Sequence, residues 1–164
     1  METVQVEAKR DFIEKLCHTK PLTAISELIW NGLDADAQQV AVEFDYNSMS
    51  GVEVIRVIDD GHGIPISEAK SAFKNLGGSW KSERNRTKGE NRYLHGKEGK
   101  GRFRAFALGK KVTWRTCYRA DGETQRFDIS GSLFDLTKFS IGDPTVSIGA
   151  PTGTTVIVTE PEVP

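Results

Sequence analysis

The order of apolar and polar positions divides the chain into a helix-rich first part and a strand-rich remainder. In "METVQVEAKRDF" Val4 and Val6 alternate with polar neighbours, as in a short strand, and "RDFIEKLCH" offers a helical turn or two. A longer helix is read from Pro21 through "ISELIWNGLDADAQ". At 100° per residue, Leu22, Ile25, Ile29 and Leu33 fall within roughly 80° of one another, while Glu27, Asn31 and Asp34 cluster within roughly 60° on nearly the opposite side. Thr19 is the expected N-cap, and Pro21 suits the first turn, where its missing N–H would have no intrahelical partner. Gly32 inside the pattern costs about 1 kcal/mol relative to Ala and predicts that something packs close to the backbone there. The polar stripe either faces water, as charged residues mostly do, or lines a site.

Beyond this helix, "QVAVEFD" alternates at Val40, Val42 and Phe44, and "VEVIRVIDD" is a more apolar strand running into Asp59. The turn formers "YNSMSG" between them predict a hairpin. Ser67 is the expected cap of a short helix, "SEAKSAFKNL", with Ala69, Ala72 and Phe73 as its apolar face and Gly77-Gly78 as its stop. "SWKSERNRTKGENRYLHGKEGKG" has no usable periodicity and reads as a long mobile loop, of a length that commonly serves as a lid or binding loop. A helix over "RFRAFALG" presents Phe103, Ala105, Phe106, Ala107 and Leu108. "KVTWRTCY", "TQRFDIS", "TVSIGA" and "TTVIVTE" then read as strands, with "RADGE" as the turn after the first. The expected class is α+β, a two-layer α/β sandwich with helices on one face of a mixed, mainly antiparallel sheet. No repeat or linker divides residues 1–164, which read as one domain; the stop just after a strand, at "EPEVP", suggests the N-terminal fragment of a longer protein.

Composition narrows the function classes only a little. With 22 Lys+Arg against 23 Asp+Glu the net charge is −1, so no bulk charge argues for a nucleic-acid or membrane partner. Cys17 and Cys117 fit no metal spacing and read as free thiols in a reducing, cytoplasmic setting, and His18, His62 and His95 form no ligand cluster. The N-terminus has no apolar signal-peptide core, and no run of about 18 apolar residues could cross a bilayer. Local charge is more telling. Residues 81–104 hold nine Lys/Arg and three Asp/Glu, a net of +6 that leaves −7 for the remainder. Three readings stay open: a basic lid over a polyanionic ligand held through a metal, a solvated charge run, or a nucleic-acid contact.

Two short motifs could carry chemistry. "IDDGHGI", residues 58–64, ends an apolar strand in an acidic pair followed by Gly61 and Gly63, which permit close approach by a ligand; a simple Asp-Gly turn would look the same. "GKEGKGRF", residues 96–103, opens a helix with Gly96, Gly99 and Gly101, whose amides could converge on an anion, or it is a flexible loop.

Taken in order, these pieces resemble the GHKL superfamily of DNA gyrase, the ninety-kilodalton heat-shock chaperones, histidine kinases and MutL. Its first motif matches "ELIWNGLDA" with Glu27, Asn31, Asp34 and Ala35, its second "DDGHG" from Asp59, its third "GKEGKGRF", and its late Gly-Thr pair Gly153-Thr154. "LGGSWK" and "GRFRAF" look more like MutL, MORC and chaperone-type ATPases than like kinases.

The resemblance implies a Bergerat-type fold and an inward-facing polar stripe, with ATP and Mg²⁺ in a pocket between helices and sheet. Asn31 would coordinate the Mg²⁺ that bridges the phosphates, with Asp34 completing the motif. Asp59 would accept the adenine amino group, Thr154 would support that contact through water, and Gly61 and Gly63 would let the backbone pass close to base and sugar. The loop of Gly96, Lys97, Gly99, Lys100, Gly101 and Arg102 would hold the phosphates. Glu27 would be the general base for hydrolysis; histidine kinases generally carry Asn there. The resemblance further implies slow hydrolysis, ADP as product, lid closure, a nucleotide-dependent homodimer and a missing downstream transducer-type domain that supplies a lysine. Glu98 departs from the pattern, since related phosphate loops often carry an apolar residue there. A histidine-kinase-like phosphotransfer domain and a non-hydrolysing module that contacts nucleic acid are the alternatives.

Overall fold

A strand near the amino terminus forms one edge of an antiparallel sheet, and the last of the described strands lies in its interior between segments that alternate strongly. The computed structural model describes residues 1–5, 15, 17–74 and 101–162. The helical turns expected within 10–18 and the loop expected at 77–101 fall almost wholly outside the described residues. The elements run β1 (Glu2–Gln5), α1 (Pro21–Asp34), β2 (Val40–Tyr46), β3 (Val52–Asp59), α2 (Ile66–Lys74), α3 (Gly101–Arg104, continued by a 3₁₀ turn Ala105–Ala107), β4 (Gly109–Ala120), β5 (Glu123–Ser132), β6 (Asp135–Ile141), β7 (Thr145–Val146) and β8 (Gly153–Pro161). The sheet order is β1-β6-β5-β4-β8-β3-β2, with β7 against β5, and every pairing among the described residues is antiparallel.

Period-two alternation decides the two faces. One row of paired residues crosses the sheet as Val42, Val57, Val156, Trp114, Ile129 and Ile141, and the next as Ile55, Val158, Val112, Gly131, Phe139 and Val4. These rows face the helices and, with Ala24 and Leu28 of α1, Phe73 of α2 and Phe103 of α3, form one apolar cluster. Phe139 is its hub, with ring centroids at 5.1 Å from Phe73, 5.7 Å from Phe103 and 6.0 Å from Trp114. Gly131 makes room for that ring, since a Cβ there would lie 2.5 Å from a Phe139 carbon. The other face carries cross-strand ion pairs, Arg56–Asp45 and Arg115–Asp128.

Several expectations hold. The β2–β3 hairpin forms, and the β4–β5 turn uses Asp121 and Gly122, both at positive φ (52° and 77°), as two-residue hairpin turns require. Others need correction. Lys20, not Thr19, is the N-cap of α1 and makes no side-chain bond there. Ser67 lies inside α2, whose first amide bonds run to the Pro65 carbonyl. Leu22 is 79 % exposed, and the stripe that α1 buries most deeply, Ala24, Leu28 and Gly32, is centred about 100° from the expected apolar face, of which Ile25 and Ile29 pack partly buried against the core. "TVSIGA" yields only the two-residue β7, while β6 forms in a segment to which the alternation assigned nothing.

Candidate functional site

The third inward row is polar. Continuing the register past Val57 and Val156, Asp59 of β3 pairs with Thr154 of β8, which pairs with Thr116 of β4. A carboxylate and two hydroxyls thus stand on the helix-facing side of the sheet, at the end where α1 and the β3–α2 connection close over it.

Glycines make that closure fit. The Asp59 side chain packs on Gly32 of α1, where a Cβ would lie 2.8 Å from the Asp59 Cβ; this is the close approach that the mid-helix glycine predicts. Gly61 lies against the Ala35 carbonyl, which accepts the His62 amide at 2.8 Å. Gly63 has φ +76°, and a Cβ there would sit 2.0 Å from the Cys117 carbonyl oxygen. The second carboxylate of the pair braces the backbone, since Asp60 Oδ1 accepts the Gln38 and Gln39 amides at 2.7 and 2.9 Å and so ties β3 to the α1–β2 connection.

Asp59 is held by the backbone. Its Oδ1 accepts the Gly61 amide at 2.9 Å and the Thr154 amide at 3.3 Å, leaving Oδ2 as the oxygen with no partner among the described residues. Burial raises its pKa above the ordinary carboxylate value, against the opposing pull of those two amides. Behind it, the fully buried Thr116 Oγ1 accepts the Ile64 amide at 2.8 Å and lies 2.9 Å from Thr154 Oγ1.

A cavity opens above this row. Asn31 of α1, Asp59, Gly63 and Thr154 share its lining with apolar walls that include Val57, Phe73 and Trp114. Arg102 closes one side. Its guanidinium lies 5.0 Å from the Phe73 ring centroid and donates to the Ala72 carbonyl, and desolvation lowers its pKa to about 10.

Five of the expected site residues, Asn31, Asp59, Gly63, Arg102 and Thr154, therefore meet around one cavity. Glu27 sits one turn before Asn31 and accepts a 2.7 Å bond from Arg104 Nη1, an ion pair joining α1 to α3. Asp34 is 1 % exposed and is not among the lining residues. Gly61 shapes the turn instead of the wall. Gly96, Lys97, Glu98, Gly99 and Lys100 lie outside the described residues, and Gly101 opens α3. Sequence reading missed Thr116, Arg104, His62 and Glu68. For Thr116 a signal existed: it is the polar residue within the inward alternation Val112, Trp114, Thr116, Tyr118.

Among the described residues no cluster of three His, Cys, Asp or Glu side chains could cage a metal, and no helix is long and apolar enough to cross a membrane. An amide oxygen on the wall, Asn31, suits a Mg²⁺ that takes most of its ligands from phosphates and water.

Comparison with known proteins points the same way. Residues 19–137 match the family described as histidine kinase-, DNA gyrase B- and HSP90-like ATPase. Curated relatives named DNA mismatch repair protein MutL are similar over shorter stretches: 46% identical over 55 residues in Lactiplantibacillus plantarum and 39% over 54 in Halothermothrix orenii, about a third of this chain and 8% of each relative. In Clostridium botulinum the match is 33% over 73 residues, 44% of this chain and 10% of the relative. The chain thus matches about a tenth or less of the length of these relatives.

Proposed function

The chain belongs to the histidine kinase-, DNA gyrase B- and HSP90-like ATPases, and from that premise we propose that its cavity binds Mg²⁺-ATP and that the protein hydrolyses it slowly to ADP. The observation that carries the reading is the Asp59 carboxylate, fixed by two backbone amides at the floor of a cavity whose lining also includes Asn31. One oxygen of Asp59 is thereby committed to the protein and the other can accept the exocyclic amino group of adenine, with Thr154 beside it. Guanine carries a carbonyl at that ring position and would meet a carboxylate, so the site prefers ATP. Asn31 would hold the Mg²⁺ through its amide oxygen, and Asp34 would support that helix from within the fold. The amides of Gly99, Gly101 and Arg102, with Gly96, Lys97 and Lys100, would hold the phosphates.

Held by Asn31 and the nucleotide itself, a Mg²⁺ would supply charge neutralisation for the phosphates. Glu27 is the candidate general base, one turn from Asn31 and oriented by Arg104. A carboxylate at this position supports hydrolysis over phosphotransfer to histidine. Segment 77–101 would close over the nucleotide, with dimerisation and a downstream domain completing the cycle. What the cycle drives in the MutL relatives is mismatch repair by name; for this chain a DNA-directed role is a proposal of the same kind.

The test is a coupled ATPase assay beside calorimetric titration with ATP. Wild type should bind ATP with Mg²⁺ and turn it over, and Glu27→Ala should keep binding within about threefold while turnover falls by about 100-fold or more. Loss of binding in a folded Glu27→Ala would make Glu27 structural and sink its assignment as base. Closure predicts that tryptic cleavage between residues 81 and 92 slows when a non-hydrolysable ATP analogue is added; unchanged cleavage would remove the lid from the mechanism.

A further inference from the structure

Thr116 is not among the residues that line the cavity described above, yet its hydroxyl is bonded in a way that sets what its neighbour can offer. It is fully buried, and its Oγ1 accepts the Ile64 amide at 2.8 Å. Its single proton has two acceptors within reach, Thr154 Oγ1 at 2.9 Å and the Gly153 carbonyl at 3.5 Å. Only the first distance falls in the range of a good O–H···O bond.

Thr154 also has one proton. If it pointed at Thr116, the cavity would see only lone pairs from Thr154, and the Thr116 proton would be left with the weak 3.5 Å contact. If Thr116 donates to Thr154, the same 2.9 Å bond is made and the Thr154 proton is available to any acceptor in the cavity. With an acceptor present the second arrangement makes one more good bond, so it prevails.

We propose that Thr116 is a specificity-determining positioning residue: by holding Thr154 as an acceptor from behind, it makes Thr154 a donor toward the ligand, next to the acceptor Asp59. This rests on the nucleotide reading above. An acceptor beside a donor is complementary to the adenine edge, where the amino group donates and ring nitrogen N1 accepts. Guanine presents the reverse order, a carbonyl and an N1–H. The base is thus read twice, by a carboxylate and by a hydroxyl whose polarity is assigned from the next strand.

The experiment titrates wild type, Thr116→Val and Thr116→Ser calorimetrically with ATP, with 1-deaza-ATP, in which N1 is replaced by C–H, and with inosine triphosphate, whose base carries a carbonyl and an N1–H. Wild type should bind 1-deaza-ATP about tenfold more weakly than ATP, because the bond from Thr154 to N1 is lost. Thr116→Val frees the lone pairs of Thr154 to accept an N1–H, so its preference for ATP over inosine triphosphate should shrink about tenfold, while Thr116→Ser should keep the wild-type preference. If wild type binds ATP and 1-deaza-ATP equally, or if folded Thr116→Val keeps the wild-type ratio of ATP to inosine triphosphate, the inference is overturned while the nucleotide reading stands. If wild type binds none of the three, that reading falls first and takes the inference with it. Should Thr116→Val not fold, Thr116→Cys, whose thiol is a poor donor and acceptor of similar size, is read in the same way.

Discussion

Replacing Asp59 by Asn exchanges one oxygen for an NH₂ group and leaves shape nearly unchanged, and the backbone decides which oxygen is lost. Oδ1 accepts two amides, from Gly61 at 2.9 Å and Thr154 at 3.3 Å, so the asparagine must turn its carbonyl toward them and place its amino group where Oδ2 stood. ATP then meets a donor facing its own amino donor. The loss includes a hydrogen bond to a charged group, worth about 1.5–3 kcal/mol, or about 10- to 150-fold in affinity. GTP gains a donor for its carbonyl, but Thr154 still presents the wrong polarity to its N1–H, so the ATP:GTP ratio should collapse without inverting fully. Stability should not suffer, because burial penalises the ionised carboxylate that the substitution removes. Calorimetric titration with both nucleotides, beside thermal melting, reads all three quantities. Unchanged ATP affinity in a folded Asp59→Asn would refute the assignment of Oδ2 to the base, and a lower melting temperature without ligand would refute the account of its burial.

The same carboxylate gives two pH dependences of opposite sign. Its folded pKa lies above 3.8, so the folded state holds its proton more tightly than the unfolded one; as pH rises from 3.8 through the raised value, Asp59 costs stability, while ATP affinity, which needs the ionised acceptor, grows. Across that window the differences in melting temperature and in ATP affinity between wild type and Asp59→Asn should follow these two trends, and pH-independent differences would refute them. Gly63→Ala places a Cβ 2.0 Å from the Cys117 carbonyl at φ +76°, so it should lose about 1–2 kcal/mol from backbone strain alone, more from the clash, and nucleotide binding with it; a melt within about 1 °C of wild type would contradict this. Phe139→Ala empties the hub of the aromatic cluster and should cost about 3–5 kcal/mol by urea unfolding; a loss below about 1 kcal/mol would mean the cluster repacks.

Where function and fold share a local pattern, the sequence was legible. Gly32 announced a close contact, and the contact proved to be Asp59; the β2–β3 hairpin and the β4 alternation followed from spacing alone. The buried stripe of α1 was misjudged because Leu22 and Leu28 are equally apolar, and only the placement of the sheet decides which one it covers. Strand β6 was missed because "DLTKFSI" buries only Leu136, Phe139 and Ile141, a pattern as compatible with a helix turn as with a strand. Thr116 was missed because its partners are 52 and 38 residues away, and a hydroxyl in a strand says nothing of its partner until the register is known.

The place of β8 in the sheet has a consequence for how the protein acquires its site. The strand from Gly153 to Pro161 lies between β3 and β4, which otherwise have no pairing with each other. During synthesis the hairpin β2–β3 and the meander β4–β5–β6 are made first, as two sheet fragments with open edges at Asp59 and Thr116. Neither can bind ligand or bury its inner row until the last of the described strands is released and inserts between them. Assembly of the floor is therefore a late, non-local step, of the kind that slows folding and leaves edges exposed in the interim. A nascent chain paused before residue 153 would carry Asp59 without the Thr154 amide that holds it.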